Sequence, residues 1–296
     1  MRQPRAALFD SAFLARLEHI SFVTRRARKS HLRGEHTTLH RGASLEFADY
    51  RQYQPGDDFR YIDWNIYSRT HRLFVKLFQA EENLNIHILL DTSRSMGFGT
   101  PPKLEYAARV AAALAYVGVH NLDRVAITSF SDTLSRGLPA MDRRSDIVHL
   151  LRHLESLKAD GRTDFNTSLS RYGSSTPRAG LAFIISDLLD EGGYQTGLEA
   201  LLRRGFDIVL IHLLDPAEIN PELTGAYRLV DSETERSVDL DVDRSLLQAY
   251  RARSGRFFQQ AQAFCFQNGI EYVRVTTAVS LQTLMLEYIR TGVYVR

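Results

Sequence analysis

Short apolar runs alternate with longer amphipathic segments from Asn85 onward. The apolar runs predict buried strands at Ile86–Leu90, Val125–Phe130, Leu181–Ser186, Asp207–Leu213 and Glu271–Val275. Apolar residues at three- and four-residue spacing predict helices at Lys103–Asn121, Asp142–Leu157, Phe165–Tyr172, Leu198–Arg204, Asp243–Asn268 and Leu281–Arg290. Strands separated by helices of this length indicate an α/β fold, with a doubly wound, mostly parallel sheet flanked by helices.

Two weaker patterns predict smaller elements within this region. Thr133–Leu138 has the composition of a short edge strand, and Tyr227–Leu240 alternates as a β-hairpin does. Neither interrupts the succession of strands and helices, so we expect both as additions to the main sheet.

The first 84 residues follow a different pattern. Apolar spacing predicts a helix over Asp10–Lys29, and the sequence QPGDD at Gln54–Asp58 places Pro and Gly as a type II turn requires. Asp57 or Asp58 could then cap a short helix that runs to Arg69, and Leu73–Phe78 has strand composition. We expect residues 1–84 to form a small helix and β appendage packed on a main domain of residues 85–296.

Composition narrows the functional classes. The chain has 296 residues, 44% hydrophobic, and a formal net charge of +2, so it has no overall electrostatic preference for nucleic acid or membrane. A single cysteine, Cys265, is typical of a reducing compartment. We find neither a signal peptide nor an apolar stretch long enough to span a bilayer, and we therefore expect a cytoplasmic protein without a transmembrane segment.

Oxygen-bearing side chains follow two predicted strands and precede one predicted helix. Asp91 ends the first strand and is followed by Ser93 and Ser95, whereas Asp187 follows the strand at Leu181–Ser186. Thr163 comes shortly before a helix. Because ligands of open parallel sheets bind outside the carboxyl ends of the strands, a doubly wound sheet would bring these three segments to one rim.

These residue types suit a small, hard cation. Mg²⁺ prefers oxygen ligands in near-octahedral order and keeps several waters, so a few carboxylates and hydroxyls can hold it with one position open. A short Asp and Ser pattern alone is weak, because both residues are common in turns and helix caps. Asp164 fits a helix cap better than a ligand.

Asp91, Ser93, Ser95, Thr163 and Asp187 resemble the metal-ion-dependent adhesion site of von Willebrand factor type A domains, which have a Rossmann-like fold. The resemblance covers Asn85–Arg290. It implies that the two serines and the threonine coordinate Mg²⁺ or Mn²⁺ directly, and that the two aspartates act largely through water. It also implies that an acidic side chain of a protein partner completes the metal's coordination.

A second resemblance concerns the segment before this site. The sequence EFADYRQYQPGDDFRYIDWNIYSRTHR, ending at Arg72, together with the later DTSRSM, is similar to the bacterial family called domain of unknown function 58. The match departs mainly at Tyr67, where a small residue is usual. The resemblance implies a MoxR-type AAA+ ATPase as partner, with this chain as an adaptor in chaperone-like assembly or maturation of protein complexes.

Charged residues beside these motifs are candidate partner contacts. Arg94 and Arg162 flank the predicted metal ligands, and Asp57 and Asp58 lie in the PGDD segment. The PGDD segment and a basic N-terminal run, which includes Arg25 and Arg26, could together form a second contact surface.

Other functions stay open at this point. The same cation could serve a hydrolase or phosphotransferase, although no general base, phosphate-binding loop or nucleophile elbow is evident in the sequence. A structural protein with a vestigial site is a further alternative. The aromatic residues between Tyr50 and Tyr67, interleaved with arginines, could stack on bases, but their irregular spacing favours a packed segment and no nucleic-acid partner. We expect a non-enzymatic interaction module.

Overall fold

The computed structural model describes residues 11–22, 24, 45–80, 83–135, 137–285 and 294. The chain divides into two compact units, one comprising Met1–Arg25 and Leu84–Arg296 and the other Arg26–Asn83. The predicted basic run from Arg25 lies outside the described residues. That the smaller unit packs on the larger one stays a prediction.

The described chain contains helices and strands of ordinary length. The helices are α1 (Ser11–Leu17), α2 (Trp64–Thr70), α3 (Lys103–His120), α4 (Ile147–Ser156), α5 (Phe165–Ser175), α6 (Gln195–Arg203), α7 (Pro216–Ile219) and α8 (Arg244–Gln267). The strands are β1 (Leu45–Gln52), β2 (Phe74–Ala80), β3 (Asn85–Asp91), β4 (Arg124–Phe130), β5 (Leu138–Met141), β6 (Leu181–Ser186), β7 (Asp207–Leu214), β8 (Gly225–Val230), β9 (Ser237–Val242) and β10 (Glu271–Thr276). Residues 281–285 are also helical, and the rest of the helix predicted to Arg290 lies outside the described residues.

A six-stranded sheet forms the centre of the larger unit, in the order β10-β7-β6-β3-β4-β5. All neighbouring pairs are parallel except β4 and β5. The strands of the sheet interior are almost wholly apolar, as buried parallel strands must be, because helices cover both faces. The predicted doubly wound, mostly parallel α/β fold is thereby confirmed.

Successive residues of β3 face opposite sides of the sheet and enter two separate cores. Ile88 packs in the core that includes α3 and α4, whereas Leu89 packs in the core that includes α5, α6 and α8. Cys265 is buried in the second core as a small apolar residue. Two apolar cores, one on each face, hold the strand ends in fixed positions.

The strand order reverses beside β3. The chain runs from β3 outward to β4 and β5 on one side, and then returns to place β6, β7 and β10 on the other. In doubly wound sheets the loops that leave the two central strands diverge at such a reversal and open a crevice. Here those loops follow Asp91 at the end of β3 and Ser186 at the end of β6.

Helix α1 is shorter than predicted and belongs to the larger unit. It ends at Leu17, and the chain continues in irregular structure to Phe22. Ile20 and Phe22 are both buried in the same core as Phe13, with the Phe22 ring 5.1 Å from that of Phe183. Burial of both Ile20 and Phe22, which are two residues apart, fits an extended segment. The sequence predicted a helix because Ile20 also continues the helical spacing of Phe13 and Leu17.

Two smaller predictions had different outcomes. The predicted hairpin is confirmed as β8 and β9, with Tyr227 opposite Leu240. The predicted edge strand at Thr133–Leu138 was misplaced, since β5 begins at Leu138 and residues 131–135 form a turn beyond β4. Ser135 holds this turn by accepting a hydrogen bond from the Ser129 amide and another from the Ser129 hydroxyl.

The smaller unit contains an antiparallel pair of strands, β1 and β2, and the helix α2. The sequence predicted one short helix capped by Asp57 or Asp58, but the segment is divided. Asp58 caps a single 3-10 turn at Phe59–Tyr61, and Asp63 caps α2 by accepting from two backbone amides. Ile62 lies between the two caps in a β-bridge with Val75, which prevents one continuous helix.

Replacing Gly56 by valine should lower the free energy of unfolding by about 1–2 kcal/mol. Gly56 has φ +107°, and among the described residues no atom beyond its chain neighbours lies within 4 Å of where a Cβ would stand. The cost is therefore backbone strain and not collision. The bond from the Asp57 amide to the Gln54 carbonyl, 3.0 Å, confirms the predicted turn. Urea unfolding measures the change, and Gly56→Asn is the control, since asparagine tolerates positive φ better. Equal stability of the valine variant and wild type would contradict the prediction.

Among the described residues, no helix combines the length and the apolar character needed to cross a bilayer.

Candidate metal centre

Asp91 ends β3 with its side chain fully buried. Its Oδ1 accepts a hydrogen bond from the Ser93 amide at 2.9 Å, and its Oδ2 accepts one from the Ser186 hydroxyl at 2.6 Å. The first bond folds the loop after β3 back on itself, and the second ties that loop to the end of β6. Asp91 therefore connects the two strands at the reversal point of the sheet.

The hydroxyls of Ser93 and Ser95 lie side by side. Their Oγ atoms are 3.0 Å apart, because the 3-10 turn at Arg94–Gly97 brings the Ser95 side chain beside that of Ser93. Met96, fully buried in the core beneath, anchors this turn. The two hydroxyls are hydrogen-bonded to each other, and their separation also suits neighbouring ligands of octahedral Mg²⁺, which lie about 3.0 Å apart when each is about 2.1 Å from the ion.

Thr163 reaches the same rim through the loop before α5. The Arg94 amide donates to the Gly161 carbonyl at 3.1 Å, and the Asp160 amide donates to the Thr92 carbonyl at 2.8 Å. These two bonds lay the loop that carries Thr163 against the loop that carries Ser93. Asp164 caps α5 by accepting from the Thr167 amide, so its predicted role as a cap is confirmed.

Asp187 follows β6 and is fully buried. Its Oδ1 accepts from the Leu189 amide at 3.1 Å, and its Oδ2 accepts from Lys103 Nζ at 2.7 Å. The pair formed with Lys103 was not expected from the sequence. Lys103 stands in the first turn of α3, and its side chain is fully buried between Asp187 and Glu218, to which it also donates.

The carboxylates of this cluster outnumber its cations. Asp91, Asp187 and Glu218 carry three acidic groups, and Lys103 is the single basic group among these four side chains. Burial and the Asp187 charge raise the pKa of Asp91 to about 7. Burial also raises the pKa of Glu218 above its ordinary value, although the Lys103 charge opposes this. Full ionisation of these three acids would give the rim a net negative charge, and a bound divalent cation would compensate that charge.

Lys103 itself is held in its charged form. Burial lowers its pKa, but the charges of Asp187 and Glu218 outweigh that effect and place the pKa above the ordinary value. His212 lies beneath the rim, where its two ring nitrogens contact the Tyr272 hydroxyl and the Asp187 carbonyl. Burial lowers the pKa of His212 to about 4, so His212 adds no positive charge at neutral pH.

The predicted partner contacts lie in two places. Arg94 and Arg162 lie beside the candidate metal ligands on the rim, where both contact the turn between β8 and β9. Asp57 and Asp58 belong to the smaller unit, where Asp57 pairs with Arg51 at 2.8 Å and Asp58 with the neighbouring Arg60. Nothing in these contacts tests a role in partner binding.

The donor set fits a hard cation held mainly by hydroxyls. Within the part of the chain that the structure describes, no three His, Cys, Asp or Glu side chains come together as a metal-ligand group. A centre here depends on Ser93, Ser95 and Thr163, with Asp91 and Asp187 behind them. Neutral hydroxyls backed by carboxylates suit Mg²⁺ or Mn²⁺ better than Zn²⁺.

Three residues of this rim were not predicted from the sequence: Lys103, Glu218 and Glu233. Ser186 was expected at the rim because it directly precedes Asp187 at a strand end, but its bond to Asp91 was not predicted. Lys103 and Glu218 lie 115 residues apart, and only the fold brings them together. Glu233 lies in the β8–β9 turn and accepts two hydrogen bonds from Thr163. No local pattern distinguishes it from other acidic turn residues.

Comparison with known sequences identifies the family. The profile of the family described as "Protein of unknown function DUF58" matches residues 49–259. The chain belongs to the DUF58 family. The uncharacterized protein Rv1480 of Mycobacterium tuberculosis is 27% identical over 247 residues, 82% of this chain and 78% of that protein. The uncharacterized protein YeaD of Bacillus subtilis is 28% identical over 134 residues, 45% of this chain and 31% of that protein.

Two solved structures match this DUF58 chain at low sequence identity. The conserved hypothetical protein BatB from Bacteroides thetaiotaomicron is 20% identical with a TM-score of 0.44, over 70% of this chain and 98% of that one. An aerotolerance-related membrane protein from Bacteroides fragilis is 19% identical with a TM-score of 0.45, over 69% and 98% of the two chains.

Proposed function

We propose that this DUF58 protein is a Mg²⁺-dependent protein-interaction module with a metal-ion-dependent adhesion site of the von Willebrand factor A type. Ser93, Ser95 and Thr163 would hold the ion directly, with Asp91 and Asp187 acting through water. The ion would leave one position for the carboxylate of an acidic side chain on a partner. The bound cation supplies charge-assisted recognition of that carboxylate.

One observation supports this proposal above the others. Two serine hydroxyls at the spacing of an Mg²⁺ octahedron stand over a buried cluster with more carboxylates than cations, at the reversal point of the sheet. A helix cap or turn would explain a serine at Ser93 or Ser95 alone. It would not explain why Asp91 and Asp187 are both buried directly behind them.

Thr163 is also suited to hold a cation. Its hydroxyl donates its single proton to Glu233 Oε1 at 3.0 Å. A hydroxyl has one proton to donate and two lone pairs, so the lone pairs of Thr163 are left to accept. A hydroxyl that coordinates a cation does so through a lone pair, so its proton must go to another acceptor, as it does here to Glu233.

Removing both serine hydroxyls should abolish metal binding. We expect Ser93→Ala/Ser95→Ala to weaken Mg²⁺ or Mn²⁺ binding by about 100-fold or more, beyond the effect typical of outer-shell partners, with the fold intact. Isothermal titration measures the affinity, and circular dichroism checks the fold. The matched control is Ser174→Ala/Ser175→Ala, which removes two hydroxyls at the far end of α5. Unchanged metal titration in the first variant would refute the assignment.

The partner is proposed from the family resemblance and the chemistry of the rim. We propose a MoxR-type AAA+ ATPase that supplies energy while this chain acts as the adaptor in chaperone-like assembly or maturation of protein complexes. The test is affinity capture from a lysate of the source organism in Mg²⁺ and in EDTA, with the double serine variant as control. An ATPase captured in Mg²⁺ alone supports the adaptor role, and capture that ignores the metal contradicts it.

We propose no catalytic activity for this rim. A metal-dependent hydrolase needs a general base beside the ion. Lys103 and His212 are both buried and engaged in hydrogen bonds, and the fully buried Asp91 carboxylate accepts one hydrogen bond on each of its oxygens. Phosphate release from common phosphoesters, measured in Mg²⁺, would overturn this part of the proposal.

A further inference from the structure

The turn between β8 and β9 lies against the candidate metal rim. The Arg162 Nε atom donates to the Glu233 carbonyl at 3.1 Å, and an Arg94 guanidinium nitrogen lies 3.4 Å from the Ser232 carbonyl. Glu233 and Thr234 are partly buried, whereas Val230 and Val238 on the strands behind them are 60% and 57% exposed. The hairpin is thus open to solvent along its strands, and at its tip Glu233 and Thr234 are partly shielded by the rim.

The Glu233 carboxylate occupies a two-donor position on the rim. Its Oε2 accepts from the Thr163 amide at 3.1 Å, and its Oε1 accepts from the Thr163 hydroxyl at 3.0 Å. Both oxygens of one carboxylate are therefore held by one residue, and that residue is also a candidate metal ligand. An acidic side chain from a partner would need to reach this same place.

The turn has hydrogen bonds of its own that do not involve the rim. Asp231 accepts from the amides of Glu233 and Thr234 at 2.9 and 2.6 Å, and its own amide donates to the Arg236 carbonyl. These bonds lie within residues 231–236. Among the described residues, the hydrogen bonds and ion pairs that tie this turn to the rim come from Arg94, Arg162 and Thr163, so breaking these contacts would let the tip leave the rim as a formed turn.

We propose that Glu233 is an internal occupant of the carboxylate position on the rim, and that an acidic partner binds by displacing the 231–236 turn. The proposal rests on the proposed function for the identity of the site. It adds that the site binds a glutamate side chain on an acidic turn, while Arg94 and Arg162 donate hydrogen bonds to backbone carbonyls of that turn. The isolated chain would bind such a partner weakly, because a tethered ligand competes at high effective concentration.

Hydrogen exchange tests the contact in the intact chain. We expect Glu233→Gln to speed exchange of the Thr163 amide at least about tenfold, since the charge-assisted bonds to the carboxylate are lost. Glu235→Gln is the matched control, because it removes the same charge from the same turn without touching Thr163. Equal exchange in wild type and Glu233→Gln would overturn the proposal.

A peptide probe tests the occupant role. A synthetic peptide of residues 229–238 should bind Glu233→Gln about tenfold or more tightly than wild type or Glu235→Gln. The same peptide with glutamine in place of its first glutamate should not bind. Faster Thr163 exchange without any gain in peptide binding would reduce Glu233 to a structural contact and overturn the proposal.

Mg²⁺ titration distinguishes a failure of this inference from a failure of the proposed function. Titration of Mg²⁺ into wild type and Glu233→Gln comes first. If neither chain binds Mg²⁺, the proposed metal centre fails, whatever the turn does. If both bind Mg²⁺ and Glu233→Gln changes neither Thr163 exchange nor peptide affinity, the metal centre stands and the internal occupant fails.

Discussion

Lys103→Met should lower the free energy of unfolding by about 3–5 kcal/mol, the cost of removing one partner from a buried ion pair. Lys103 is fully buried and donates to Asp187 at 2.7 Å and to Glu218. Methionine has a similar shape, so the loss would come from two carboxylates left without a cation and not from a cavity. Chemical unfolding measured at neutral pH gives the change directly.

The matched control for this variant is Lys158→Met, which makes the same replacement at an exposed position. Surface substitutions of this kind usually change stability by no more than about 0.5 kcal/mol. Equal stabilities of the two variants would show that the Lys103 charge contributes little to folding, contrary to its burial between two acids.

Mg²⁺ gives the Lys103 variant a second readout. Without the lysine, the excess negative charge of the cluster increases, so a cation bound to the rim should stabilise Lys103→Met more than it stabilises wild type. We expect the melting temperature of the variant to rise further on addition of Mg²⁺. An equal rise in melting temperature in both proteins would show that the Lys103 charge does not affect cation binding at the rim.

The central sheet could be predicted from the sequence because its strands are buried on both faces. Parallel strands of this kind are continuous apolar runs, and the predicted run Ile86–Leu90 lies within β3, Asn85–Asp91. The relative positions of the strand ends then followed from the parallel arrangement of the strands. Asp91 and Asp187 were predicted to meet because both follow strands of one parallel sheet, and the Ser186 hydroxyl that bonds Asp91 shows how closely those strand ends approach.

The rest of the rim depends on contacts that no local pattern encodes. A lysine in the first turn of a helix is ordinarily solvated, and Lys103 is buried only because Asp187 and Glu218 come from distant segments. Glu233 is 70 residues from Thr163 along the chain. The end of α1 was missed for a different reason. Ile20 continues the helical spacing of Phe13 and Leu17, and burial of Phe22 in the same core is visible in the fold alone.

The smaller unit shows the same limit at short range. Proline and glycine in QPGDD fixed the turn at Gly56, because positive φ restricts the residue that can stand there. The sequence left open whether Asp57 or Asp58 caps a helix, and Asp63 was not predicted as a cap. Asp58 and Asp63 each cap a separate segment, whereas Asp57 binds the Gln54 amide and Arg51.

Acid should destabilise the protein through His87, which is buried in β3 beside the Tyr172 hydroxyl at 2.8 Å. Burial lowers the pKa of His87 to about 4. An unfolded histidine titrates near pH 6.5, so between pH 6.5 and about 4 the unfolded chain binds a proton at this residue and the folded chain does not. The free energy of unfolding therefore falls as the pH is lowered from 6.5 toward 4, by about 1.4 kcal/mol per pH unit and about 3 kcal/mol in all.

Other buried groups mask this slope in the wild type. His212 has the same sign, because burial also lowers its pKa to about 4. Asp123 has the opposite sign, because burial raises its pKa to about 7 and the folded chain then holds a proton that the unfolded chain releases. The total pH dependence of wild type is accordingly a partial cancellation.

The difference between His87→Gln and wild type isolates the effect of His87, since the other groups are common to both proteins. Glutamine can keep a hydrogen bond to Tyr172 but does not titrate. We expect the variant to be less stable than wild type near pH 7 and to lose less stability on acidification, so that the two curves of unfolding free energy converge between pH 6.5 and 4. Parallel curves over that range would show that His87 takes up its proton in the folded chain as readily as in the unfolded one.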